Sequence, residues 1–140
     1  MFNLSNQDRL TEWRRFRDNL EYSETPLEDV ASLWSKAPFV SSYLDPDKPD
    51  QWPDPWHLIL DNKLDDLAIV LGMLYTLKLT QRFMNYHFEI HMSISTNQKE
   101  KNYFLIVENH VLNLEYGSVV EVSALEKYST SKIWTSTANL

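Results

Sequence analysis

The segment "DNKLDDLAIVLGMLYTL", residues 61–77, constrains the fold more than any other part of the chain. From Leu64 to Leu79, apolar side chains (Leu67, Ala68, Ile69, Val70, Leu71, Met73, Leu74, Tyr75, Leu77) cover most of a helix circumference. A helix that is apolar nearly all round is central, and other elements must cover it on several sides. Asp65 and Asp66 open it, where the positive end of the helix dipole favours carboxylates. Gly72 and Lys78 interrupt the run, which is too short to cross a bilayer.

The covering elements are legible on either side. Leu10, Trp13, Phe16 and Leu20 recur at three- and four-residue spacing, which predicts an amphipathic helix with Ser5 as its N-cap. "TPLEDVASLWSKAP" predicts a second helix, with Thr25 as cap, Pro26 in the first turn, Glu28 completing a capping box, and a stop before Pro38. "FVSSYLDPDKPDQWPDPW" holds four prolines among aspartates and aromatics and reads as an ordered, extended connection. Asp54 and Pro55 restart a short helix through Leu60.

After residue 80 the period changes from 3.6 to 2. In "HFEIHMSIS", Phe88, Ile90, Met92 and Ile94 face one way, while His87, Glu89, His91, Ser93 and Ser95 face the other. "NQKEK" is a polar turn, and "YFLIVENHVLNLEY" reads as a hairpin bending at Glu108, Asn109 and His110. "SVVEV" is a further strand and "SALEKY" a turn of helix. Helices first and an antiparallel sheet afterwards define an α+β class. The expected organisation is one domain over 1–128 and a C-terminal tail over 129–140, anchored by Ile133 and Trp134.

Composition removes several functions. With 140 residues, 43% of them hydrophobic, the chain has the material for one packed core. A net charge of −7 argues against direct contact with a nucleic-acid backbone. The basic cluster Arg9, Arg14, Arg15 and Arg17 reads as a solvated helix face. The absence of cysteine excludes disulfides, thiolate zinc sites and a cysteine nucleophile. The N-terminus lacks the pattern of a signal peptide, so a soluble protein of a reducing compartment, without membrane attachment, is expected.

Residues 62–68, "NKLDDLA", resemble the Gly-Asp-Cys-Asp-Asp-Leu-Ala helix opening of transglutaminase-like proteins, which are papain-like in fold. Leu64 stands at the cysteine position. "IHMSIS" resembles the strand bearing the family's histidine and puts His91 there; "HVLNLEYG" puts Asn113 where the family has aspartate. The similarity spans roughly residues 52–117 and implies a transglutaminase-like fold. Leucine has no nucleophilic atom and no proton to lose, so the resemblance implies a catalytic site that has lost its activity. A second, looser resemblance is to short proteins of tailed phages of marine bacteria. It rests on "WSKAPF", "YLD", "WPDPW", "LGMLYTL" and a final "VLN", and implies a phage-encoded protein.

Other candidate sites have simpler readings. His87, Glu89 and His91 are a possible ligand set for a metal-dependent hydrolase, but same-face neighbours on a strand lie about 6.5–7 Å apart. A solvated polar face is the simpler reading, and neither a metal nor a cofactor is expected. Asp65 and Asp66 point about 100° apart on a helix, so they serve the cap and dipole rather than acid–base chemistry. Trp13 and Trp34 belong to apolar stripes, whereas Trp52, Trp56, Ile133 and Trp134 are candidate interface residues. The expected function is that of a non-catalytic phage protein, a virion structural or assembly component of head, neck or tail. Its partners would be other virion proteins, and it would sit in the virion or in the host cytoplasm during infection. The alternatives are an acidic inhibitor of a host protein and the metal-dependent hydrolase.

Overall fold

The computed structural model describes residues 1–94 and 100–135. The start of the "NQKEK" turn and the last five residues of the expected tail lie outside them. The central helix, α4, runs Asp66–Lys78, and every residue from Leu67 to Leu77 is buried. It begins two residues later than the apolar pattern suggests. Asp65 is the N-cap: its extended backbone precedes the helix and its side chain accepts from the Ala68 N–H at 2.9 Å. Leu64 therefore lies outside the helix, where its backbone bridges Phe39.

Three helices precede α4: α1 (Asn6–Leu20), α2 (Pro26–Trp34) and α3 (Pro55–Asp61). Asp54 caps α3 as expected, accepting from His57 N–H at 2.8 Å, and Asn62 ends it in the left-handed region. The capping box of α2 does not form. The Thr25 hydroxyl donates to Asp29 at 3.1 Å instead of capping the helix. Ser5 precedes α1 without a side-chain cap bond. Two of these helices, α1 and α2, are each joined to α4 by a buried tryptophan. Trp13 of α1 and Trp34 of α2 both donate their indole N–H to the Thr76 hydroxyl at 3.0 Å, and Thr76 donates to the Gly72 carbonyl at 2.6 Å. Gly72 leaves room for the Trp34 ring, since a Cβ there would fall inside it.

The basic cluster on α1 is less solvated than its composition suggests. Arg9 is buried and donates to the α3 carbonyls of Ile59 at 3.1 Å and Leu60 at 3.0 Å. These are orphan acceptors at the helix end, so Arg9 ties α3 to α1. The Arg17 guanidinium lies over the Trp13 ring, 4.4 Å from its centroid.

The sheet has five antiparallel strands in the order β4-β3-β2-β1-β5. They are β1 (Phe88–Ile94), β2 (Lys101–Val107), β3 (His110–Leu112), β4 (Val119–Glu121) and β5 (Thr130–Thr135). Phe88, Ile90, Leu105, Val107 and Leu112 belong to the same core as α4, which packs against β1 and β2. The β2–β3 bend falls at Glu108 and Asn109, with Glu108 at φ 53°. His110 is the first residue of β3.

Residues 130–135 correct the expectation of a tail. They form edge strand β5, paired with β1. Trp134 packs against the core and meets Trp52 edge to face at 5.3 Å. Lys132 forms an ion pair with Asp47. The strand is too polar for sequence pattern to single it out; pairing with β1 supplies the backbone hydrogen bonds that its side chains do not advertise.

Candidate functional site

The corner of interest lies where α4 begins. Leu64 is 1% exposed, and its carbonyl accepts from the Val40 N–H at 3.2 Å. Asp65 spends both carboxylate oxygens on backbone donors. One accepts from Ala68; the other accepts from Tyr43 and Leu44 at 2.8 and 2.9 Å. It pins the proline-rich connection to the helix start. Asp66 turns elsewhere and accepts from the Tyr116 hydroxyl at 3.0 Å. The two aspartates do not converge, because Asp65 is spent on the cap and the connection while Asp66 bonds Tyr116. The Tyr43 hydroxyl donates to Asp61 at 2.6 Å.

Opposite this corner, the helix-facing side of β1 carries no imidazole. Strand alternation places Ile90 and Met92 of β1 on that side, paired with Leu105 and Tyr103 of β2. The Tyr103 hydroxyl is pushed up to about 12, first by burial and then by the negative charge of Asp65 and Asp66. Tyr103 shares a cleft with Asp66 at the start of α4. Together with Asp66, Asn113 and Tyr116 it lines a small polar cleft of about 190 Å³. Sequence reasoning had not singled out Tyr103 or Tyr116, because neither belongs to a motif.

His91 occupies the other face of the sheet, which corrects its assignment to the position across from Leu64. Its ring stacks on Phe104, its cross-strand partner, at 5.4 Å. Its Nδ1 lies 3.1 Å from the Thr130 hydroxyl and its Nε2 2.7 Å from Glu89 Oε1. Asn113 follows β3 at φ 69°, a conformation asparagine tolerates better than most residues. It donates from Nδ2 to the Tyr103 carbonyl at 3.3 Å. Leu64, His91 and Asn113 thus form no cluster: Leu64 is in the core, His91 is behind the sheet, and only Asn113 borders the cleft.

His87, Glu89 and His91 do meet, but through hydrogen bonds. The two Nε2 atoms contact different oxygens of Glu89, each at 2.7 Å. The contacts with His91 and then His87 hold the Glu89 carboxyl below its ordinary range. Among the described residues no group of three or more His, Asp or Glu side chains is disposed to hold a metal ion. His57 pairs with its helix cap, Asp54, at 2.8 Å, and His110 lies 3.5 Å from Glu121.

The four interface candidates divide between two regions. Trp52 and Trp134 cover each other, and the Trp52 indole donates to the Asp45 carbonyl at 2.8 Å. Trp56 is 45% exposed and meets Trp13 edge to face, while Ile133 is 52% exposed on β5.

No family model matches this chain, and no curated protein does. Several solved structures do. Calcium-bound LapG from Legionella pneumophila superposes with a TM-score of 0.68 and 16% identity, over 97% of this chain and 82% of LapG. A second LapG structure gives 0.66 and 18%, over 94% and 76%. EGTA-treated LapG gives 0.64 and 18%, over 89% and 71%. At these identities the likeness concerns fold alone: helices packed on a five-stranded antiparallel sheet, in a transglutaminase-like arrangement, in a chain without cysteine.

Proposed function

We propose that this protein is a non-catalytic module on a transglutaminase-like fold, acting through protein contacts as a structural or assembly component of a phage virion. The observation that carries the loss of catalysis is the corner at Leu64. An inert side chain, 1% exposed, stands where the resemblance of "NKLDDLA" puts the family's cysteine. The imidazole offered by the sequence lies behind the sheet, stacked on Phe104. Acyl transfer needs a nucleophile and a base within hydrogen-bond reach of each other, and here both parts of the pair fail. The virion role rests on the resemblance of "WSKAPF", "WPDPW" and "LGMLYTL" to proteins of tailed phages.

Quantitative mass spectrometry of purified particles, measured against the major capsid protein, tests the virion role. A constant copy number through stringent purification supports it. Absence from particles, with the chain present in infected cells, overturns it and favours an acidic inhibitor of a host protein. Turnover of glutamine–amine or peptide substrates by the purified protein would overturn the non-catalytic reading separately.

A further inference from the structure

The end of α4 remote from Leu64 carries a groove that the catalytic comparison does not use. It encloses about 550 Å³ between the first turn of α2, the segment after α4, and the β2–β3 bend. That volume falls within the range of ligand-binding clefts. Its apolar lining comes from Leu27, Phe83, Tyr86 and Val107. The apolar surface continues outside it. Tyr86 is 42% exposed, Met84 52% and Leu79 38%, all within one short segment. Tyr22, 90% exposed, is its neighbour, because the adjacent Glu21 accepts from the Gln81 and Arg82 amides at 2.9 Å. Several large apolar side chains brought to one end of a monomer mark an interaction surface rather than scattered exposure.

Charge selects the occupant. Glu28 and Glu108 line the groove, and Glu21, Glu24 and Asp29 lie on or beside the segments that build it. Arg82 is the one arginine or lysine among the lining residues. Its guanidinium donates to the Leu20 and Ser23 carbonyls at 3.0 and 2.6 Å and lies over the Phe83 ring. Its Nη1 is thus occupied by backbone carbonyls, although the residue itself is exposed. His110, also in the lining, faces Glu121. The rim is acidic on a chain of net charge −7, so an incoming cation is attracted and an anion repelled.

We infer that this groove receives a linear segment of a protein partner, bearing one bulky apolar side chain flanked by lysine or arginine. The anchor fills the space between Leu27, Phe83 and Tyr86, and the flanking cations meet Glu28 and Glu108. The inference concerns a surface away from Leu64 and stands whether or not that corner is inert.

The test uses the intact chain and fluorescein-labelled peptides of a dozen residues or so. One set carries a central Trp or Leu between Lys and Arg, one carries the same anchor between Glu and Asp, and one has basic flanks with Ala at the centre. Fluorescence anisotropy is read at low and high salt, with amide chemical shifts to locate binding. The anchored basic set is expected to bind, more weakly as salt rises, and to shift the amides of Leu27, Tyr86, Asn109 and His110. Glu28→Lys combined with Glu108→Gln should weaken that binding about tenfold or more, which corresponds to about 1.4 kcal/mol. Both positions are exposed, and glutamine keeps a side-chain oxygen for the His87 N–H, which Glu108 accepts at 2.9 Å, so the variant should fold; an unchanged thermal midpoint would verify this. No binding at about 1 mM peptide, equal binding by the acidic or Ala-centred sets, or shifts confined to another surface would each overturn the proposal.

Discussion

Replacing Thr76 by valine tests how the helices are fastened around α4. The hydroxyl is fully used: two lone pairs accept the Trp13 and Trp34 indoles, and its proton goes to the Gly72 carbonyl. All three side chains are 0% exposed, so water cannot replace a lost partner. Valine keeps the shape but leaves two buried N–H donors unpaired. At about 1–3 kcal/mol for each unsatisfied donor, the cost is about 2–6 kcal/mol. The Gly72 carbonyl keeps its helix bond and adds little. For a chain of this size that corresponds to a fall of roughly 6–20 °C in the thermal midpoint. Thr76→Ser is the control, since it keeps the hydroxyl and loses a methyl worth about 1 kcal/mol. Urea unfolding followed by tryptophan fluorescence would measure both variants, with an unchanged m-value showing that the folded state is intact. The reasoning fails if valine costs less than serine, or if it lies within about 1 kcal/mol of the parent, well below the expected range.

Further expectations concern other parts of the molecule. Leu64→Cys restores a thiol but should restore no acyl transfer, because His91 is behind the sheet; a covalent acyl-enzyme seen by mass spectrometry would contradict that geometry. Trp134→Ala should cost about 2–3 kcal/mol, below the full core value because the ring is only partly buried, and should speed amide exchange in β5 before β2. Unaltered exchange in β5 would return residues 130–135 to the status of a tail. Tyr75 and Tyr103 both have hydroxyls pushed up to about 12, chiefly by burial. The unfolded chain ionises them near 10, so their contribution to stability is complete below that pH and is lost as pH rises towards 12. The Tyr43 and Tyr116 hydroxyls are raised as well, by burial and by their bonds to Asp61 and Asp66, so absorbance at 295 nm should show four of the seven tyrosines ionising late, together with loss of near-UV dichroism; uniform ionisation near pH 10 in a folded protein would refute this. Glu89 has the opposite sign: its depressed carboxyl contributes above its ordinary range and loses that contribution as pH falls through its lowered value. Glu89→Gln should therefore flatten the acid limb of the stability curve, measured by denaturation at a series of pH values.

What the sequence by itself determined follows from periodicity and from side-chain chemistry. The 3.6-residue stripe located α1, the long run apolar on all sides located α4, and the punctuation around Pro26 and Pro55 located α2 and α3, because backbone sterics and caps act within a few residues. The absence of cysteine ruled out a thiol nucleophile anywhere in the chain. Even the side of His91 was legible, because Phe88, Ile90 and Met92 alternate with His87, Glu89 and His91. A motif match had set that alternation aside, although a shift of one residue along a strand exchanges the sheet's faces. The tertiary structure alone decided the rest. Thr25 gave up its cap to bond Asp29, and Asp65 rather than Leu64 became the start of α4 because the Tyr43 and Leu44 amides needed an acceptor there. The polar segment at 130–135 became a strand because β1 offered it an edge. The acid-rimmed groove was assembled from residues more than eighty positions apart. Contacts of that kind leave no periodic signature, since they depend on which distant backbone and side-chain groups the packed helices and sheet bring within reach.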